Sequence, residues 1–315
     1  MATAQRAFAS VRLRRGRTRP RPRAATLLML APVIVVAVAL GAYPILSGIW
    51  IGFTNERVGG VFGLAKTRPI GFANFTSIFG DPAFVSGLVL ILKIAVAVVV
   101  TTYTLAYLLA ALLNTDFPFR RVVRTIVLLP MAVPAVVVGE VFRYLYDPNV
   151  GPVNGLFVKL GLVQHPQFLA TSSLQWIWIA IPSIWITLPF AALFLLAAIQ
   201  GVPPELLEAA RLDGAGWFGR FRHVTFPATR GALAAIIPLS FAAQLLAFEM
   251  YVALLGGALG SVASAGLLIP SVYAYSNLAD GLMGRAAATA DIILLAILAA
   301  FLLSRYISMR EERRR

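Results

Sequence analysis

The chain contains no cysteine and only two histidines, His165 and His223. The first absence excludes disulfides, thiolate metal sites and cysteine nucleophiles, and the second leaves little from which to build a metal centre. Charge is scarce as well. Asp, Glu, Lys and Arg make up 13% of the 315 residues, against about 25% in soluble domains. Acidic residues are the rarer sign, 13 against 27 basic, for a net charge of +14. No Gly-Lys pair occurs, so the chain has no Walker A phosphate loop. Segments of about ten residues with alternating polarity, the mark of a membrane barrel, are missing too.

What is abundant is apolar surface: 59% of residues are hydrophobic and the mean hydropathy is +0.83. A chain this apolar cannot cover itself with polar groups, so its solvent is lipid. Six apolar segments reach the length of about 20 residues that a membrane-crossing helix needs. They are Thr26–Phe53, Phe84–Leu113, Val122–Tyr146, Ser172–Gln200, Gly231–Leu255 and Ala286–Tyr306. An unpaired backbone group in lipid costs several kcal/mol, so each crossing must be a helix. The fold class is therefore an all-α polytopic membrane protein with six transmembrane helices. We divide it into a basic leader over residues 1–25, a membrane domain over 26–306 and a tail over 307–315. No internal repeat divides it further.

The few charges are segregated. Eight arginines between Arg6 and Arg23 precede the first span, and Arg120, Arg121 and Arg124 lie between the second and third. Arg211, Arg220, Arg222 and Arg230 lie between the fourth and fifth, and Arg305, Arg310 and Arg313–Arg315 follow the sixth. Twenty of the 27 basic residues thus fall on alternate connections and both termini, whereas Arg57, Lys66, Arg68, Lys159 and Arg285 fall on the other side. Basic residues mark the cytoplasmic side, so both termini are predicted to be cytoplasmic. A cleaved signal peptide fits less well, because the first apolar run is nearly twice a signal core and no A-x-A site ends it. Nucleic-acid binding fits less well too, since only Phe8 is interleaved among the leader arginines.

Of the connections, residues 201–230 are the most structured. They begin Pro203-Pro204-Glu205-Leu206-Leu207-Glu208-Ala209-Ala210-Arg211-Leu212-Asp213-Gly214-Ala215. Proline suits a helix start, Glu205 and Glu208 suit the positive end of the helix dipole, and Gly214 suits a left-handed stop. The spacing predicts a helix of two to three turns outside the membrane. Ala209 and Ala210 leave room for close approach by another protein, and Glu208 offers it a carboxylate. An interfacial helix lying on headgroups would show a basic face and large apolar anchors; this one begins acidic, which suits protein contact better.

Glu208-Ala209-Ala210, three residues, Gly214, nine residues, then Val224-Thr225-Phe226-Pro227 resembles the EAA motif of binding-protein-dependent ABC importer permeases. That family ends the motif in Ile-x-Leu-Pro, so Val224 and Phe226 are conservative departures. Resemblance to the carbohydrate-uptake branch, the maltose and glycerol-phosphate permeases, extends to Tyr43-Pro44-Ile45 toward the end of the first span and Gly71-Phe72-Ala73-Asn74-Phe75 before the second. It continues at Leu129-Pro130 with Pro134, at Asp147-Pro148 with Gly151, and at Trp185 with Pro189-Phe190.

The resemblance implies a type I ABC importer permease. Glu208, Ala209, Ala210, Asp213, Gly214, Ala215 and Pro227 would form the coupling region for a cytoplasmic ATPase dimer. ATP and Mg would be bound there, with no cofactor in this chain. It also implies a second homologous permease subunit, an extracytoplasmic solute-binding protein, and residence in a bacterial-type inner membrane.

Charges inside lipid cost about 2.5–3.5 kcal/mol on insertion scales, so Lys93, Glu140, Glu249 and Asp291 need explaining. Lys93 either snorkels to an interface or lines a cavity. Glu140 pairs readily with Arg143 three residues on, and Asp291 can satisfy a neighbouring helix. Glu249 stands beside Gln244, Phe248, Met250 and Tyr251. Carboxylate, amide and ring together suit a polyhydroxylated solute, although packing explains any one of them nearly as well. In related permeases this stretch approaches the solute site. The family's Gly-Gly-Gly-Pro stretch is replaced here by Gly256-Gly257-Ala258-Leu259-Gly260. The competing classes are an intramembrane enzyme, for which neither histidine lies in a span and no serine–lysine or paired-aspartate arrangement stands out, and a single-chain secondary transporter, for which no inverted repeat is visible.

Overall fold

Helices account for every regular element among the described residues, 23–57, 67–162, 175–256 and 268–312 of the computed structural model. Most of the arginine leader, the first residues of the predicted fourth span, the Gly257–Gly260 departure and the last three arginines lie outside them. The chain divides into two compact units, Met1–Gly48 and Ile49–Arg315. The first holds α1 (Arg23–Ala37), a π-turn (Val38–Ala42) and the start of α2 (Tyr43–Gly52). Proline in a regular helix collides with the carbonyl four residues earlier. The wider π-turn, with Tyr43 N–H bonded to Val38 O, brings Pro44 into the helix without ending it.

The second unit is a helical bundle. Its long members are α4 (Pro82–Leu113), α8 (Gln175–Gln200), α11 (Phe226–Leu246) and α14 (Met283–Glu312). Shorter helices are α3 (Ala73–Phe79), α5 (Arg120–Leu128), α6 (Ala135–Leu145), α7 (Pro152–Lys159), α9 (Pro204–Leu212), α10 (Trp217–Arg220), α12 (Glu249–Leu254) and α13 (Pro270–Ala279). Among the described residues five continuous stretches are long and apolar enough to cross a membrane: Met29–Gly52, Pro82–Leu113, Gln175–Gln200, Trp217–Leu246 and Met283–Ile307.

The sixth predicted span, the third in order, is broken. Arg120–Ala132 and Ala135–Leu145 meet at 93°. The cause is local. Pro134 disfavours helical backbone at the residue before it, and Val133 is extended at φ −86°, ψ 126°. The fifth predicted span also needs correcting. Its helix ends at Leu246, Ala247 is extended at φ −62°, ψ 122°, and a separate helix starts at Glu249. Glu249, Met250 and Tyr251 therefore lie on α12, beyond the span. At the other end helix begins at Trp217, inside the predicted 201–230 connection, and Phe226 N–H bonds to Phe221 O across a second π-turn (Phe221–Thr225) just before Pro227. The last helix likewise continues to Glu312, into the predicted tail.

The broken halves pack on each other. Gly139 of α6 lies so close to α12 that a Cβ there would come 2.5 Å from the Met250 carbonyl oxygen and 2.7 Å from the Ala253 Cβ. α4 and α8 form the centre, with Ala106, Ala110, Leu113, Ala191, Ala192 and Leu195 buried between them. Small residues allow such close helix approach where no water drives association. At the far end Ile78, Phe84, Tyr273, Ala288 and Ile292 form a separate cluster.

Gly87 of α4 approaches the Leu268 carbonyl so closely that a Cβ would collide with it, whereas Gly231 of α11 has nothing within 4 Å. Gly87→Ala should destabilise the detergent-purified protein by about 1–3 kcal/mol through forced backbone displacement. Gly231→Ala, inside α11 with room for the methyl, should leave the thermal unfolding midpoint unchanged or raise it slightly, and a fall with both substitutions would refute the close approach.

Candidate functional site

The connection after α8 builds a self-contained helix. Pro203 is extended at ψ 129° and Pro204 takes the first helical position. Glu205 lies in the first turn and Arg211 in the last, each complementing the helix dipole. Gly214 adopts φ +79° with open space around it, so its conformation alone demands glycine. Its N–H donates to Arg211 O at 3.0 Å and the Ala215 N–H to Ala210 O at 2.9 Å, the two bonds of a Schellman stop.

None of the α9 residues is buried. Glu208, Ala209, Asp213 and Gly214 are exposed, while Ala210, Ala215 and Pro227 are half-buried. The motif thus divides into an outward face and an inward one. Ala215 packs toward Gly219, where a Cβ would sit 3.3 Å from its own. Large apolar side chains that the motif does not include also stand out: Leu212 is 89% exposed, and Leu206, Trp217 and Phe218 are more than half exposed.

Arginines finish the same end of the bundle. Arg120 Nε and Arg124 Nη2 donate to Leu113 O at 2.8 and 3.0 Å, capping the last turn of α4, and Arg120 pairs with Asp116 at 2.7 Å. At the opposite end Asn74 Nδ2 donates to Gly52 O and Thr54 O at 2.9 and 2.8 Å. Gly71, at φ +60°, turns the chain into α3 to bring it there. Tyr273 donates to Asp81 Oδ2 at 2.7 Å, and Arg285 bonds both at 3.1 Å to the carboxylate and to the Tyr273 oxygen. Partial burial pushes the Asp81 carboxyl up, but hydrogen bonds from Tyr273 and the Ala83 N–H, with the Arg285 charge, outweigh it and hold it below the usual carboxylate range. Burial first, and the Asp81 bond second, push the Tyr273 hydroxyl up to about 12, keeping it a donor.

The predicted solute residues are not gathered in one place. Gln244 and Tyr251 are buried and paired, with Tyr251 Oη donating to Gln244 Oε1 at 3.0 Å and lying 3.2 Å from Ser183 Oγ. Gln244 also borders a cavity of about 260 Å³ with Thr102, Tyr103, Thr187 and Ser240. Phe248 is half-buried against Tyr275, ring centroids 5.0 Å apart, and Glu249 beside it is exposed. Glu140 lies 3.5 Å from Arg143, both half exposed. Lys93 faces an open groove of about 590 Å³ with Leu92, Val96 and Trp176. Asp291 is 9% exposed, with Oδ2 against Gly52 and no hydrogen-bond partner among the described residues. Its satisfaction by a neighbouring helix is therefore not seen.

Against known families, residues 103–313 match the binding-protein-dependent transport system inner membrane component. The chain belongs to that family. The permease is 28% identical over 255 residues to the trehalose/maltose transport system permease protein MalF of Thermococcus litoralis, covering 81% of this chain and 84% of that one. It is 30% identical over 241 residues to the probable ABC transporter permease protein YurN of Bacillus subtilis, covering 74% and 80%. It is 35% identical over 175 residues to the diacetylchitobiose uptake system permease protein NgcF of Streptomyces coelicolor, spanning half the length of that relative and 52% of this chain. A chain in the crystal structure of a bacterial alginate ABC transporter, in complex with alginate pentasaccharide-bound periplasmic protein, superposes with a TM-score of 0.75 at 22% identity. The match covers 91% of this chain and 95% of that one, and is evidence of shared fold.

Residue order in the permease assigned no role to Tyr103 and Tyr107, and carried Asn74 only within the Gly71–Phe75 resemblance. Tyr103 pairs with Ser240 at 2.6 Å and Tyr107 with Thr229, so both tie α4 to α11. The tyrosines' signal was available as two hydroxyls four residues apart, on one helix face, among the threonines of an apolar run; they carry no charge, so nothing set them apart. For the loop itself, Gly214→Ala should cost about 1 kcal/mol locally, because a side chain resists the left-handed conformation. Hydrogen exchange of the Asp213–Ala215 amides should quicken several-fold while the global unfolding midpoint moves little; unchanged exchange would show that the stop does not depend on glycine.

Proposed function

We propose that the chain is the permease subunit of an ATP-driven ABC importer and forms half of the pathway for a carbohydrate-type solute. The observation that carries this reading is α9: a capped, wholly unburied helix bearing Glu208 and Ala209 outward, at the arginine-rich end of a bundle that has no Walker A loop of its own. An exposed carboxylate followed by two alanines suits a cleft in another protein. That partner is a cytoplasmic ATPase dimer holding ATP and Mg. Closure of the dimer on ATP moves α9 and switches the pathway between its inward- and outward-facing states. The arginine placement supports cytoplasmic termini, with Asp81, Asn74 and Arg285 facing the extracytoplasmic side.

A second, homologous permease subunit completes the pathway, and an extracytoplasmic binding protein delivers the solute. The trehalose/maltose and diacetylchitobiose names of the relatives support a carbohydrate, and the alginate complex with its periplasmic protein supports such delivery. Within this subunit the exposed Glu249, beside the Phe248–Tyr275 ring pair, is the best-placed group to meet a hydroxylated ring: an acceptor next to flat apolar surfaces. Gln244 and Tyr251 support that region from behind, as a bonded pair.

Glu208→Ala should lower binding-protein-stimulated ATP hydrolysis of the assembled complex by about an order of magnitude, as loss of a central interface contact does, while the subunit still inserts. Undiminished hydrolysis and ATPase recruitment would count heavily against the assignment. Glu249→Ala should slow uptake by about two- to tenfold, the effect of one lost hydrogen bond, with solute affinity of the binding protein unaltered. Normal uptake would remove Glu249 from the pathway.

A further inference from the structure

The EAA-like motif ends at Pro227, yet a set of aromatic side chains runs on from the loop into the membrane spans. α9 leans mainly on α10 and the π-turn Phe221–Thr225, so displacement of α9 is felt first over residues 217–225. There Trp217 stacks face to face on Phe221, centroids 5.9 Å apart and planes at 6°. Phe221 meets Tyr107 edge-on at 5.4 Å, and Phe226 closes the group at 6.1 Å from Phe221 and 6.2 Å from Tyr107. Tyr107 belongs to α4, is 8% exposed, and bonds through its hydroxyl to Thr229 of α11. One turn deeper, Tyr103 bonds to Ser240 of α11, and Thr102 lies 3.3 Å from Thr187 of α8.

Three properties make this group a transmitter. Aromatic rings have few rotatable bonds, so a push on one is handed on and not absorbed in rotamer changes. The π-turn beneath them carries an i→i+5 bond, Phe226 N–H to Phe221 O, where the helices on either side carry i→i+4 bonds, so the rings span a change in the backbone ladder. A cavity of about 540 Å³ borders Tyr107, Trp217, Phe221 and Phe226, giving the group room to move on one side.

We propose that Tyr107 and Phe221 are positioning residues that make displacement of α9 move α4 and α11 as one body. The proposal rests on the assignment of α9 as the ATPase contact. The absence of native cysteine in this chain helps the test, because Val100→Cys on α4 and Val141→Cys on α6 provide a spin-label pair unique within it, labelled before the chain is assembled with its partners. The complete complex is assembled with its ATPase, and the label separation is compared before and after Mg-ATP with vanadate.

The unaltered complex should show a shift in separation. In Phe221→Ala and in Tyr107→Ala that shift should shrink to about half or less, with ATP hydrolysis kept within about twofold, the signature of lost coupling between intact sites. Tyr107→Phe, which keeps the ring and loses the hydroxyl, should fall between. Phe221→Leu, which keeps bulk without ring faces, should behave as Phe221→Ala and serves if the alanine variant does not assemble. Unchanged shifts in these variants, or shift and hydrolysis lost in proportion, would overturn the relay while leaving the α9 assignment standing. Failure of the ATPase to copurify with the unaltered chain would overturn that assignment, and the relay with it.

Discussion

Backbone groups that lipid cannot hydrate govern this molecule. Each place where a helix stops or bends within reach of the membrane needs a donor or acceptor supplied from elsewhere in the chain. Leu113 O at the end of α4 receives two arginines, and Gly52 O and Thr54 O receive the Asn74 amide. Ala247 O, freed where α11 breaks, receives the Ser271 hydroxyl at 2.9 Å. The side chains that perform these repairs come from distant parts of the sequence, so the breaks also tie separate elements together. Asp291 Oδ2 is the contrasting case, a buried acceptor for which the described residues provide nothing.

The same constraint explains why the irregular segments meet. The third span breaks at Val133–Pro134 and the fifth at Ala247–Phe248, and the halves beyond the breaks, α6 and α12, lie against each other at Gly139. Irregular backbone is tolerated at membrane depth where it is covered by protein or borders a cavity. Pairing the two breaks covers part of each. It also places Glu249, Phe248 and Tyr275 at the edge of the paired region instead of inside a straight span.

Much of this was legible from residue order. Six apolar runs of sufficient length, charge sorted to alternate connections, and Pro204 and Gly214 bracketing α9 depend on composition and local backbone preference. The bend at Pro134 was half legible: its prolines were visible, their 93° consequence was not. The break at Ala247 had no local signal, since neither proline nor glycine is near, and it depends on Ser271 some two dozen residues away. The solute candidates were chosen by charge and polarity, which do not reveal partners. Gln244 and Tyr251 satisfy each other across the break, and only the folded chain brings them together.

The π-turn at Phe221–Thr225 has one more consequence. It holds one residue more than a regular helical turn, and each residue advances an α-helix by about 100°. The loop residues on one side and the α11 face on the other are thus set out of phase by that angle. The turn absorbs that extra residue. Tightening it to an ordinary helix with every residue kept would spin Trp217 and everything before it about a quarter of the way round and carry Glu208 off its bearing. Removing one residue, by contrast, would leave the two sides facing as they do. In this chain the facing of the loop is stored in the hydrogen-bond pattern of one turn, which keeps its bearing only while the extra residue stays looped into it.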